Sequence, residues 1–108
     1  MNIIKIRLEY KCFPVWIYDH NNELIENDLP SELTEARDVE SNFNHIQEIY
    51  DSLYLDDGKE FRYIGFSGSS AREDFFRELS EAIHLLKQKL NGEYLIEENL
   101  EAFRKRVI

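Results

Sequence analysis

Several stretches of the chain carry residue types and spacings that could do chemistry. Asp19-x-Asn21-x-Glu23 alternates oxygen side chains in the way a calcium loop does. Leu24 then stands where such a loop needs glycine, and Pro30 where it needs its closing glutamate, so a polar hairpin turn is the better reading. Asp56-Asp57 could be a ligand pair, but Gly58 follows and no histidine is near in sequence, which favours turn residues. Gly65-Phe66-Ser67-Gly68-Ser69-Ser70 precedes a helical segment and could offer amides to an anion. It lacks the lysine and glycine spacing of a phosphate loop, and Ser67 sits one place off a nucleophile elbow, so it reads as a helix cap. Cys12 could act as a nucleophile if His20 reached it across a hairpin, although a small thiol beside an apolar strand is usually packed. His45 and His84 fall opposite the apolar stripes of their helices and read as solvent-facing.

Carboxylate pairs for acid/base work are unavoidable in a chain with 22 acids. A general acid needs an apolar pocket, and no acid falls inside an apolar stripe. The expectation is therefore of no catalytic residue, no metal ligand and no cofactor. What stands out is the distribution of charge. Between Asp19 and Glu60 thirteen acids face two bases, Arg37 and Lys59, a local charge of −11. The whole chain is −9, so everything outside this stretch sums to +2. Like charge crowded into one region repels itself in the folded state, and its return is steering toward a cationic surface. The same charge argues against nucleic acid or anionic lipid as the ligand.

The elements that must position these groups are legible from periodicity. At 108 residues, with 43% hydrophobic residues, seven Phe and six Tyr, residues 1–108 read as one domain with its own core. Lone Cys12 cannot form an internal disulfide, nothing at the start resembles a secretory signal, and no apolar run spans a membrane, so a cytoplasmic protein is expected. Ile3 to Tyr10 alternates as a half-buried strand. Phe13 to Tyr18 is a second strand with Pro14 at its start, and Leu24-Ile25 a short third, together an antiparallel meander. Ser31 caps a helical turn through Ala36. Val39, Phe43, Ile46, Tyr50 and Leu53, widened by Ile49 and Tyr54, form a helical stripe that ends in a glycine turn at Leu55 to Lys59. Glu60 to Phe66 alternates as a fourth strand.

Ser70-Ala71-Arg72-Glu73 matches a capping box and opens a long helix striped by Phe75, Phe76, Leu79, Ala82, Ile83, Leu86 and Leu90, stopped at Asn91-Gly92. In the tail, Ile96, Leu100, Phe103 and Val107 keep helical spacing, while a strand at Tyr94 to Ile96 is the competing reading. The predicted fold class is α+β: a small antiparallel sheet of about four strands with two main helices on one face.

Trp16 and Tyr18 have the opposite parity from Val15 and Ile17, so one pair faces away from the helices unless the tail covers it. Leu85 also departs from its helix stripe. Size, acidity, the α+β pattern and the aromatic hairpin Phe13-Pro14-Val15-Trp16-Ile17-Tyr18 beside an acidic helix resemble the small acidic immunity proteins of bacterial polymorphic-toxin systems. The resemblance implies an inhibitor rather than an enzyme, neutralising a basic, nuclease-type cognate toxin by occluding its active site. On this reading Glu40, Glu48, Asp51, Asp56 and Asp57 are the candidate partner contacts, with Trp16 and Tyr18 as an aromatic rim. The alternatives are a small ligand-binding or enzymatic domain with a site between hairpin and helices, and an obligate homo-oligomer burying Trp16, Tyr18 or Leu85.

Overall fold

A computed structural model describes residues 1–33 and 35–106; Thr34, Val107 and Ile108 lie outside the described residues, and with them the tail position expected of Val107. Strands β1 (Ile3–Ile6), β2 (Val15–Tyr18) and β3 (Leu24–Glu26) form the expected antiparallel meander. Pro14 sits just before β2, where its missing N–H costs nothing, and its carbonyl accepts the Arg7 N–H at 3.0 Å to prolong the ladder. The half-buried Asn27 amide donates to the carbonyls of Phe13 (2.6 Å) and Val15 (2.9 Å), tying the chain after β3 back to β2.

The short helical turn expected from Ser31 is a 3-10 turn at Ser31–Leu33, and it leads into α1 (Arg37–Asp51). The α1 stripe of Val39, Phe43, Ile46 and Tyr50 is buried, and Asn42, which falls inside the apolar arc by spacing, is exposed. α1 ends earlier than the spacing predicts. Leu53 and Tyr54 lie beyond the helix, and Tyr54–Asp56 is a strand, β4, paired with β5 (Phe61–Tyr63) as a separate two-stranded sheet. The reason is local: Asp57-Gly58 lies between two alternating apolar segments, and Gly58 adopts φ +83°, a turn conformation that other residues rarely tolerate. The fourth strand expected from Glu60 to Phe66 therefore exists but does not join the main sheet.

α2 (Ser69–Leu90) buries the predicted stripe from Phe75 to Leu90. Its expected capping box is not made. The cap is Gly68, and Glu73 instead takes Arg104 at 2.9 Å through both carboxylate oxygens. Asn91 closes the helix in the left-handed region at φ 48°, followed by Gly92 at φ 82°. Both readings of the tail hold in succession: β6 (Leu95–Glu98), then α3 (Leu100–Arg106). β6 pairs parallel with β1, so the main sheet is mixed, in the order β3-β2-β1-β6. The fold is α+β.

The core lies between the inner face of this sheet (Ile4, Ile6, Val15, Ile17) and the α1 and α2 stripes, closed from one end by Phe103 of α3. Phe103 meets Tyr50, Phe75 and Phe76 at ring-centroid distances of 5.9, 6.4 and 5.6 Å. Leu85 is half-buried against the same core. Because Phe103 fills space between two helices, Phe103→Ala should cost about 3 kcal/mol, the usual scale for emptying a buried aromatic site. A denaturant midpoint within error of wild type would refute that role.

Candidate partner-binding surface

The residues singled out by sequence do not share one face. α1 packs on the inner side of the sheet and shows Glu40 and Glu48 to solvent, where they line a shallow depression with Arg37, Ser41, Asn44 and His45. Trp16 and Tyr18 point out of the opposite side of the sheet, away from both helices. There Trp16 Nε1 donates to the Arg7 carbonyl at 3.1 Å, Arg7 Nη1 donates to the Tyr18 hydroxyl at 3.2 Å, and the Lys5 ammonium stands 4.4 Å from the Tyr18 ring centre. Of the described tail, α3 turns Phe103 into the core on the helix side of the sheet. The aromatics expected to rim the acids are thus accompanied by the protein's own cations on the far side of the sheet.

The acids themselves divide by type. All six aspartates between Asp19 and Glu60 accept main-chain N–H bonds. Asp19 holds Asn21 (2.8 Å) and Glu23 (3.0 Å), which is the turn chemistry expected of that loop. Asp28 and Asp38 each hold the next residue, and Asp56 holds Gly58. Asp57 accepts from Lys59 (3.0 Å) and Glu60 (2.8 Å), and these two bonds keep its carboxyl below the usual aspartate range, hence charged. Asp51 is half-buried and accepts from the Lys11 N–H (2.8 Å) and the Gln47 side-chain amide (2.7 Å). The same amide donates to the Glu9 carbonyl at 2.9 Å, so Asp51 and Gln47 clamp the β1–β2 connection onto α1.

Of the glutamates in this stretch, Glu32 and Glu60 hold partners of their own. Among the described residues no ion pair reaches Glu40 or Glu48, whereas Asp38 meets Lys89 at 3.5 Å and Glu60 meets Arg62 at 2.9 Å. Glu32 accepts the Tyr94 hydroxyl at 2.9 Å; its own main-chain N–H and then this bond keep its carboxyl low. His45 is exposed as expected and pairs with Glu78 of α2 at 3.5 Å. That pair spans the mouth of a groove between α1 and α2 walled by Ile49, Leu53, Phe66, Phe75 and the exposed Ile64. His45 also borders the Glu40–Glu48 depression, so the acidic helix face runs into the groove. Cys12 and His20 stand at opposite ends of β2, roughly 13 Å of extended strand apart, and cannot work together. Among the described residues no three His, Cys, Asp or Glu side chains group as metal ligands.

The β4–β5 hairpin is what periodicity missed. Cross-strand pairing of Tyr54 with Tyr63 and of Asp56 with Phe61 places all four on one face. Tyr54 and Phe61 stack with ring planes 1° apart at 5.3 Å, and Tyr10 meets both edge-on at 5.2 and 4.9 Å. The Tyr54 hydroxyl bonds that of Tyr50 at 2.9 Å, joining the hairpin to α1. Phe61 nonetheless remains 56% exposed. The signal was in the sequence, where Asp57-Gly58 separates the aromatic alternations Tyr54-x-Asp56 and Phe61-x-Tyr63.

The fold defines the class: a small α+β domain whose core is filled by aliphatic and aromatic side chains and whose charged groups lie outside it. The chain belongs to the Serratia CdiI immunity protein-like family, whose model matches residues 2–98, from β1 through β6. No curated protein matches the chain. No helix among the described residues is long and apolar enough to cross a membrane.

Two measurements follow. Asp51→Ala strands the Lys11 N–H and one Gln47 donor and should cost about 1–3 kcal/mol in denaturant unfolding, whereas Glu48→Ala should stay within about 0.5 kcal/mol. Equal effects would contradict the division between clamp and surface. Burial and the bond to Glu32 push the Tyr94 hydroxyl up to about 12. Its raised value stabilises the fold below the ordinary phenol range and loses that contribution as pH rises toward 12, while the lowered Glu32 value loses its own as pH falls through the carboxylate range. Ultraviolet titration should show a late tyrosine step that Tyr94→Phe removes.

Proposed function

We propose that this protein is a contact-dependent inhibition immunity protein, a non-enzymatic cytoplasmic inhibitor that binds a basic, nuclease-type toxin domain and occludes its active site. The observation that carries the reading is the α1 outer face, where Glu40 and Glu48 stand two turns apart, exposed and without an ion-pair partner among the described residues. Charges left unneutralised beside an apolar groove supply both the steering field and the adjoining contact area that an inhibitor of a cationic cleft needs. Asp56 and Asp57, fixed by their own turn amides at the hairpin tip, add to the negative field. Asp51 contributes field but is committed to the fold. Trp16 and Tyr18 lie on the other side of the sheet and stay outside this contact.

The test uses a basic toxin domain recovered with the protein by pull-down from its native cell, rendered inactive, and stopped-flow or surface-based kinetics. Glu40→Lys with Glu48→Lys should slow association on the order of tenfold at low salt and flatten its salt dependence, leaving thermal stability unchanged. Association indifferent to both salt and these substitutions would rule out electrostatic occlusion.

A further inference from the structure

Three of the seven large apolar side chains exposed among the described residues fall within four consecutive positions, Phe61, Tyr63 and Ile64. A two-stranded sheet is marginal alone, so the Tyr10–Tyr54–Phe61 stack has a structural use. That use explains one side of the Phe61 ring and not its 56% exposure. Across the ladder from Phe61, on the same face, stands Asp56, a carboxylate with no ion-pair partner among the described residues.

An exposed ring beside an unneutralised carboxylate suits one side chain best. A planar guanidinium can lie over the ring and present its edge to the carboxylate, which a compact, strongly hydrated ammonium does less well. The molecule already contains this arrangement elsewhere. Arg104 stands 4.5 Å and Arg72 5.2 Å from the Phe76 ring centre, and Arg104 reaches both Glu73 oxygens at 2.9 Å. Phe61 with Asp56 repeats the ring and the carboxylate, and among the described residues no arginine stands over that ring.

We propose that the Asp56–Phe61–Tyr63 face of the β4–β5 hairpin is a docking platform for an arginine-bearing surface of the toxin domain, the cation arriving from the partner. The inference rests on the immunity reading and sharpens it, because it names the element and the side-chain chemistry that hold the complex after the α1 charges have steered it. The platform is pre-organised. Its rings are fixed by stacking, its turn by Gly58 and Asp57, and its base by Ile64 and Gly65 N–H bonds to the Leu53 carbonyl at 2.7 and 3.1 Å. Binding therefore orders little that was free.

The experiment compares wild type, Phe61→Ser, Phe61→Leu, Asp56→Asn and Glu40→Lys/Glu48→Lys for binding to the inactivated toxin domain, with near-ultraviolet circular dichroism as the check on folding. Phe61→Ser and Asp56→Asn should speed dissociation about tenfold with association nearly unchanged, the opposite of the α1 pair. Phe61→Leu, which keeps the apolar area and loses the π face, should fall with Phe61→Ser; wild-type affinity in Phe61→Leu overturns the arginine assignment. Should a Phe61 variant fail to fold, amide exchange on the wild-type complex decides, because residues 54–63 must gain protection on binding and unchanged exchange there overturns the platform. If the hairpin variants bind normally while the α1 pair weakens, the platform falls and the electrostatic reading stands. If the wild-type protein does not bind the toxin domain, both fall.

Discussion

The arrangement depends on one closure, the burial of the α1 and α2 stripes against Ile4, Ile6, Val15 and Ile17. Burial of apolar surface is the dominant favourable term in a domain of this size. It also fixes sidedness, because a sheet covered on one face must turn alternate residues away from it. Once Ile17 points into the core, Trp16 and Tyr18 cannot, and once Phe43 and Ile46 do, Glu40 and Glu48 must face water. The two groups are then held on opposite sides of the molecule. A single flat interface cannot use both.

The acidity has two physical origins that net charge merges. Aspartate has a short side chain that reaches nearby main-chain amides, and here every aspartate of the acidic stretch does so, in turns, at helix starts or across the Asp51 clamp. Glutamate is longer by one methylene and leaves Glu40 and Glu48 on the helix surface. Much of the charge density therefore accompanies local backbone geometry, and only part of it is available to another molecule. Asp57 still contributes to the field, since the two amide bonds it accepts make its carboxylate harder to protonate.

Most of the architecture was legible from periodicity. The meander, both helix stripes, the Asn91-Gly92 stop and the α+β class follow from spacing alone. Misreadings cluster where local and distant signals competed. Leu53 and Tyr54 kept the helical period while belonging to a strand, because an amphipathic stripe can run on through a turn without the backbone doing so; Asp57-Gly58 was the stronger cue. Glu73 lies three positions after Ser70, as a capping box demands, yet a guanidinium from α3 is the better partner, and nothing local announces Arg104. The parallel place of β6 beside β1 was illegible for the same reason, since register between the ends of a chain is set by the core that forms between them. Of the candidate surface, the exposed glutamates could be read from helix phase. The aromatic hairpin could not be read once its first strand had been assigned to α1.

Ile3 pairs with Leu95 although both helices and five other elements of the chain lie between them. The edge of β1 that β6 covers stays open until the core between the two strands, α1 and α2 included, has brought them side by side. Contacts between such distant positions are slow to form. Completion of the main sheet is therefore a late, long-range event, gated by the packing of both helices rather than by any local turn.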